Sequence, residues 1–444
     1  MKLKKYFFLC FVLFFMFTAW ADAKWRFVSP MPNGRYGHDA VLGPDGKIYV
    51  MGGFAWYFHN GRYSNIAYDP QKDSWSVLMP VPGWVLVEED LIMIYDPEKD
   101  AWDWVKKVSG EKDCYKVFDR DTETYKLEKR VVPPEWIRNT NLQRKGDGVA
   151  IVTGKDGRIY WLGGQGYSNG YGEAIVFPYD PLKGAWPEVE AKWVKYSPVV
   201  STVHTVYKTD MAPMLERRMD HEAAVTSDGR IFVMGGRREQ VRKTHRDEFE
   251  GTGKIEVSDT VECYDPRKNT WEYRKPMTVK RFLFAAVTGP DDRIYTFGGT
   301  GEFVPNESRK TFDRTEVYDP KTDTWSFRSS MPEPRYSHAG VLGADGRIYI
   351  LGGSKGEREP PVKDVFIYDP AEDRWTRGPC MNIHRSTLAA VATPDGKIYA
   401  IGGTDVGVYK NRENINIFLP QEKQLYEGKV QETVEVLDIF KLGK

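Results

Sequence analysis

Five arginines recur in one register along this chain. Arg35, Arg218, Arg281, Arg335 and Arg385 each stand seventeen residues before a pair of glycines. A guanidinium presents a rigid fork of donors suited to a carboxylate or phosphate. If the repeats surround an axis, these five would ring one mouth of a channel and bind an anionic group; the alternative role is to bond backbone and carboxylates between repeats. His38, His221 and His338 lie three residues after the repeat arginine. Three histidines suggest metal ligands, but equivalent positions spread about an axis stand too far apart to share one ion, so packed, hydrogen-bonded rings are expected. His59, His204, His245 and His384 show no ligand spacing, and neither a metal nor a cofactor is expected. Aromatic rings crowd two loops: Trp56, Tyr57, Phe58, His59 and Tyr63 after the first glycine pair, and Tyr167 and Tyr171 after the second. Exposed rings beside arginine stack on sugar faces or anchor a protein partner. Spacing singles out no pair of carboxylates for acid and base roles.

The elements that must position these residues are short strands. Between Arg335 and Trp375, SHAGVLG and RIYILGG flank Ala344-Asp345-Gly346, the turn chemistry of a tight hairpin. Gly352-Gly353 ends the second strand, VFIYDP makes a third that Pro370 stops, and Trp375 opens a fourth. The spacing recurs. The residue closing the hairpin turn stands six before a glycine pair at Gly46, Gly157, Gly229, Asp292, Gly346 and Gly396. An aromatic residue seven before a tryptophan recurs at Tyr68, Tyr95, Tyr179, Tyr264, Tyr318 and Tyr368. Self-similarity at this period, four strands to the unit, predicts an all-β propeller of six four-stranded blades.

The order arginine, histidine, hairpin, double glycine, Tyr-Asp-Pro, tryptophan closely resembles the kelch repeat, over nearly all of the chain after residue 24. In eukaryotic kelch domains that grip acidic peptides, the position of the repeat arginine supplies some of the contacts. Kelch-type copper radical oxidases need a crosslinked Tyr-Cys pair and axial histidines; this chain has no adjacent histidines. Exported bacterial kelch proteins that interconvert sialic acid anomers use an arginine and acidic residues at the channel mouth. The resemblance therefore implies a binding module, with a sugar mutarotase or epimerase as the alternative. Two carboxylates and an arginine converging on a narrow axial funnel would favour an enzyme; a wide mouth lined by aromatic loops would favour a binder.

The ends complement each other. WRFVSPMPNGR, from Trp25, has the spacing of WSFRSSMPEPR from Trp325, so the chain after residue 23 begins with a fourth strand. The unit starting at Arg385 ends in VEVLDIF without a following tryptophan. The two ends are expected to complete one blade and close the ring. Residues 80–143 exceed the repeat by about one unit and carry Tyr95 to Trp102, Phe118 to Tyr125 and Trp136. They read as a degenerate seventh blade or as hairpins inserted in the first. Further insertions are expected over 187–214, 237–258 and 404–432, on a face that carries function.

Residues 1–23 join a basic start, a short apolar core and Ala21-Asp22-Ala23, the order of a secretory signal peptide. The propeller then occupies 24–444, exported to a periplasm or medium, with no membrane span after signal removal. Sixty-three basic residues balance sixty-three acidic ones, so nothing in the global charge gathers nucleic acid. Cys114, Cys263 and Cys380 remain after the leader, an odd number without C-x-x-C spacing. Cys263 and Cys380 are expected to be packing residues, although one bridge is possible. The function expected is that of a monomeric, exported, non-catalytic module binding a protein, peptide or carbohydrate through its loop face and channel mouth.

Overall fold

The computed structural model describes residues 24–53, 65–78, 148–164, 176–184, 211–238, 255–302, 309–357, 359–405 and 430–442 in full. It describes only the backbone for Phe54 and for the strands within 87–129, 190–208 and 239–254. The leader, Trp136 and Trp186 lie outside the described residues.

Six antiparallel sheets are built in repeat order. Blade 1 comprises Tyr36–Leu42, Ile48–Phe54, Ile66–Asp69 and Ser74–Val77. Blade 2 shows three described strands, Ala150–Thr153, Ile159–Leu162 and Val176–Tyr179. Blade 3 comprises Glu222–Val225, Ile231–Met234, Val261–Asp265 and Thr270–Arg274. Blade 4 comprises Ala285–Thr288, Ile294–Phe297, Thr315–Asp319 and Thr324–Arg328. Blade 5 comprises Ala339–Leu342, Ile348–Leu351, Val365–Asp369 and Arg374–Arg377. Blade 6 joins Ala389–Thr393, Lys397–Ile401 and Val434–Asp438 to the N-terminal Arg26–Val28, which pairs with 434–436.

The first strands pack in a cycle, 36–42 on 150–153, then 222–225, 285–288, 339–342, 389–393 and back to 36–42. Each seam between neighbouring blades holds its own apolar cluster, and there are six such clusters. The six-bladed expectation therefore holds over the seven-bladed one. Within 80–143, five strands between Val87 and Lys129 form one separate antiparallel sheet, and the cycle closes without them.

The recurrent tyrosine and tryptophan explain how a blade is fastened. Tyr68, Tyr318 and Tyr368 donate their hydroxyls to Asp73, Asp323 and Asp373 at 2.6–2.7 Å, which fixes the turn into the outer strand. Each ring lies about 5 Å from the tryptophan seven residues on. The indoles of Trp75, Trp325 and Trp375 then donate, each at 2.9 Å, to Ser29, Lys275 and Ser329 on the preceding blade. One motif thus ties a blade to itself and to its neighbour.

Strand direction separates two faces. The tight hairpin turns and the Asp-Pro turns all fall on one face. The connections from second to third strand, and from each blade to the next, all fall on the other. The long connections between 54 and 65, 78 and 148, 164 and 176, and 405 and 430 therefore leave from and return to the second face. The hairpin Arg237–Lys243 with Phe249–Val257, inserted in blade 3, also belongs there.

Candidate binding face

The repeat arginines start at this second face but turn inward. Arg35, Arg218, Arg281, Arg335 and Arg385 are all buried, none above 3 % exposed. Arg218, Arg281 and Arg385 donate Nη1 to the carbonyls of Gly235, Gly298 and Gly402 at 2.8, 3.1 and 2.8 Å, and Arg35 to Gly52 at 3.3 Å. On blades 3, 4 and 6 the third strand supplies a fully buried glutamate, so that Nη2 meets Glu262 and Glu316 at 2.5 Å and Glu435 at 2.9 Å. Blade 5 has Phe366 in that place. Arg335 lies over its ring at 5.0 Å and pairs instead with Glu333 and Asp364. Burial lowers the pKa of Arg281 and Arg385, opposed by their glutamates. The expectation that these guanidiniums ring the mouth as a ligand site is thereby corrected. A guanidinium placed inside a blade needs a charge partner and bonded carbonyls, and the repeat provides both.

The histidines take a second structural place. His38 and His338 lie so close to Gly402 and Gly298 of the preceding blade that a Cβ there would meet the ring; Phe284 and Leu388 occupy the same place against Gly235 and Gly352. His38, His221 and His338 are buried, and burial, with the adjacent arginines, lowers each pKa to about 3. They are neutral packing residues, as expected, but their ring nitrogens do not form the well-aligned hydrogen bonds that were also expected. Cys263 is buried and free, but Cys380 is exposed and free, its thiol 3.7 Å from Asp364, which corrects its reading as a packing residue. Trp56, Tyr57, Tyr167 and Tyr171 lie outside the described residues.

What surrounds the axis is a collar of backbone. Gly37, Gly148, Asp220, Leu283, Ser337 and Thr387, one per blade, all have left-handed φ between 51° and 67°. Gly37 donates to Thr387, Thr387 to Ser337, Ser337 to Leu283, Leu283 to Asp220 and Asp220 to Gly148, at 2.8–3.2 Å. Side chains other than glycine hold this conformation at a cost of about 1–3 kcal/mol each, met here by ring closure.

Immediately inside the collar lies an axial cavity of about 200 Å³. Its charged wall consists of Asp39, Glu222 and the pair Arg237–Asp220. Arg237 Nε donates to Asp220 at 2.6 Å, and its guanidinium lies 5.0 Å from the Phe282 ring centre. Asp39 accepts from Ala40 N at 2.7 Å and from Ile151 N at 2.8 Å. Burial raises its pKa to about 6, and burial together with the Asp39 charge raises Glu222 well above the carboxylate range. Two carboxylates and an arginine do share this cavity, but both Asp39 oxygens hold backbone amides and Arg237 holds Asp220. The arrangement fastens blades rather than presenting a free acid and base. Sequence reasoning passed over Asp39 and Glu222. The available signal was their place in a column that is otherwise Ala150, Ala285, Ala339 and Ala389.

A model of the KLHDC2/KLHL20/DRC7 Kelch-repeats domain matches residues 212–403, and the Kelch motif matches residues 40–82, together just over half of the chain. Kelch-like protein 26 of Danio rerio is 31 % identical over 207 residues, which is 46 % of this chain and 27 % of that protein. Alpha-scruin of Limulus polyphemus is 28 % identical over 202 residues, covering 46 % of this chain and 18 % of its own length. F-box/kelch-repeat protein SKIP30 of Arabidopsis thaliana is 29 % identical over 159 residues, 36 % of this chain and 42 % of that protein. The chain thus spans less than half the length of these relatives. Because the matched segments carry the arginine, glycine-pair and tryptophan register that builds the blades, the chain belongs to the kelch-repeat family.

Proposed function

We propose that this propeller is a binding module that docks a protein partner on its long-connection face, around the axial mouth. The observation that carries the reading is the asymmetry of the two faces: one consists of tight turns, while the other bears every long connection and the collar. A rigid ring presenting variable loops on one side separates stability from recognition. The kelch relatives support a binding role. A sugar mutarotase or epimerase draws no support from the repeat arginines, which are buried inside blades, and Arg237 at the cavity is held by Asp220. The basic, apolar and Ala-Asp-Ala order of residues 1–23 supports export, tested by sequencing the N-terminus of the secreted fraction, where Lys24 should come first.

The test is comparative capture. The full chain, a variant with residues 240–254 replaced by a two-residue turn, and the variant Lys47→Glu plus Arg347→Glu on the tight-turn face would each be used as bait in the native source. A partner held by the first and third baits and lost from the second supports the reading. A partner lost only from the third bait overturns it.

A further inference from the structure

We propose that Asp39 and Glu222 act as proton-linked clasps, coupling closure of two alternate seams of the ring to pH. The two seams share one construction. At the seam of blades 1 and 2, Asp39 accepts from Ile151 N, and Thr153 Oγ1 donates back to Leu42 O at 2.7 Å. At the seam of blades 3 and 4, Glu222 takes the same place facing the amide of Ala286, and Thr288 Oγ1 donates back to Val225 O at 2.9 Å. The positions correspond in the repeat, so each clasp is a carboxylate and a threonine exchanged across neighbouring first strands.

Both carboxylates also project into one bore. Each is half-buried and lines that cavity. The strands packed beside Asp39, 150–153 and 389–393, carry no titratable group, and neither does 285–288 beside Glu222. On the cavity wall the remaining charged or titratable groups among the described residues are Tyr36, Asp220, Arg237 and the neutral His38, His221 and His338. Arg237 is engaged by Asp220, so ionising both clasps places two like charges in a narrow space with no cation between them among the described residues. A proton on one relieves the repulsion while its carbonyl oxygen still accepts an amide.

The sign follows from linkage. A carboxyl whose folded pKa lies above its unfolded value stabilises the fold at low pH, and that contribution is lost as pH rises through the folded value. With Asp39 raised to about 6, the loss runs from about pH 4 to pH 6 or 7. The buried histidines act in the opposite direction, so the clasp is isolated only as a difference between proteins. The segment 79–147 enters at the first clasped seam and the 237–257 hairpin rises from blade 3, so both seams support the long-connection face.

Thermal melting of the full chain, Asp39→Asn, Glu222→Gln and the double variant would be followed from pH 4 to pH 8. The melting temperature of each variant relative to the parent should climb between pH 4 and pH 7 and level off above. A difference independent of pH overturns the proposal. Amide exchange of the parent provides a check that needs no variant. After correction for intrinsic rate, protection of Ile151 and Ala286 should fall on the order of tenfold from pH 5 to pH 7.5 relative to Thr387, whose collar bond lies at another seam. Amides that keep pace with Thr387 also overturn it.

Discussion

Arg385 and Glu435 meet at 2.9 Å with both side chains fully excluded from solvent, fifty residues apart in the chain. The pair sits on the blade that the two ends build together. Glu435 also accepts from the amides of Asn382 and Ile383 at 2.7 and 3.2 Å, while Arg385 reaches the carbonyls of Gly402 and Thr433. One carboxylate thus holds the incoming connection, the third strand and the glycine pair together. Breaking a buried ion pair from one side leaves an uncompensated charge, so Glu435→Leu should cost about 3–5 kcal/mol in denaturant unfolding. Adding Arg385→Met should restore only part of this, because the two amides remain without their acceptor.

The closing strand should be as important as any internal one. Trp25 is 4 % exposed, packs with Met381, Leu388 and Leu437, and donates its indole N–H to Pro379 O at 2.9 Å. Truncating it to alanine removes a large buried ring, and Trp25→Ala should lower stability by about 3–5 kcal/mol. Deleting 24–34 also removes the partner strand of 434–436 and should lower the melting temperature of the whole ring. Calorimetry checks both; an unchanged melting temperature would show that the ring closes without them.

Acid should weaken the fold through its histidines. His38, His221 and His338 have folded pKa values lowered to about 3, below the unfolded value of about 6.5. Below pH 6.5 the unfolded chain takes up protons that the folded chain refuses, so stability falls as pH falls towards 3. Each histidine should remove about 2 kcal/mol at pH 5 relative to pH 8. Phe284 and Leu388 show that this place accepts an apolar side chain. His338→Phe should therefore melt higher than the parent at pH 5, with the advantage shrinking by pH 8.

Two glycines with similar backbones should respond differently. Gly298 has φ +60°, and a Cβ on it would collide with the Arg335 carbonyl and the His338 ring; Gly346 has φ +79° with open space around it. Gly346→Ala should cost only the left-handed penalty, about 1–2 kcal/mol. Gly298→Ala adds displacement of the next blade and should cost about 3 kcal/mol or more. Equal losses in urea unfolding would show that the close approach of the blades is not what the glycine pair serves.

Much of the architecture was legible in the residues because it depends on local chemistry repeated at a constant interval. Asp345-Gly346 makes a hairpin wherever it stands, Tyr368 meets Trp375 through the register of one hairpin, and the strand around Phe27 lacks three companions that only the far end supplies. The number of blades follows from counting such units, and the five strands of 87–129 remain outside the ring although they contain Tyr95 and Trp102 at blade spacing. Their separation was not legible, because pairing order depends on which sheet each strand joins.

The direction of the arginines was likewise decided by tertiary structure. A repeat interval fixes where Arg281 lies along its blade but not whether it points to the axis or into the sheet. Glu316, thirty-five residues away and buried beside it, turns it inward. Asp39 and Glu222 are 183 positions apart and belong to no motif; only closure of the ring brings them to one cavity. By itself the sequence determined what each unit builds, since those contacts span a few residues. The folded ring alone decided which charges are enclosed, because that depends on what neighbouring blades bring to the same seam.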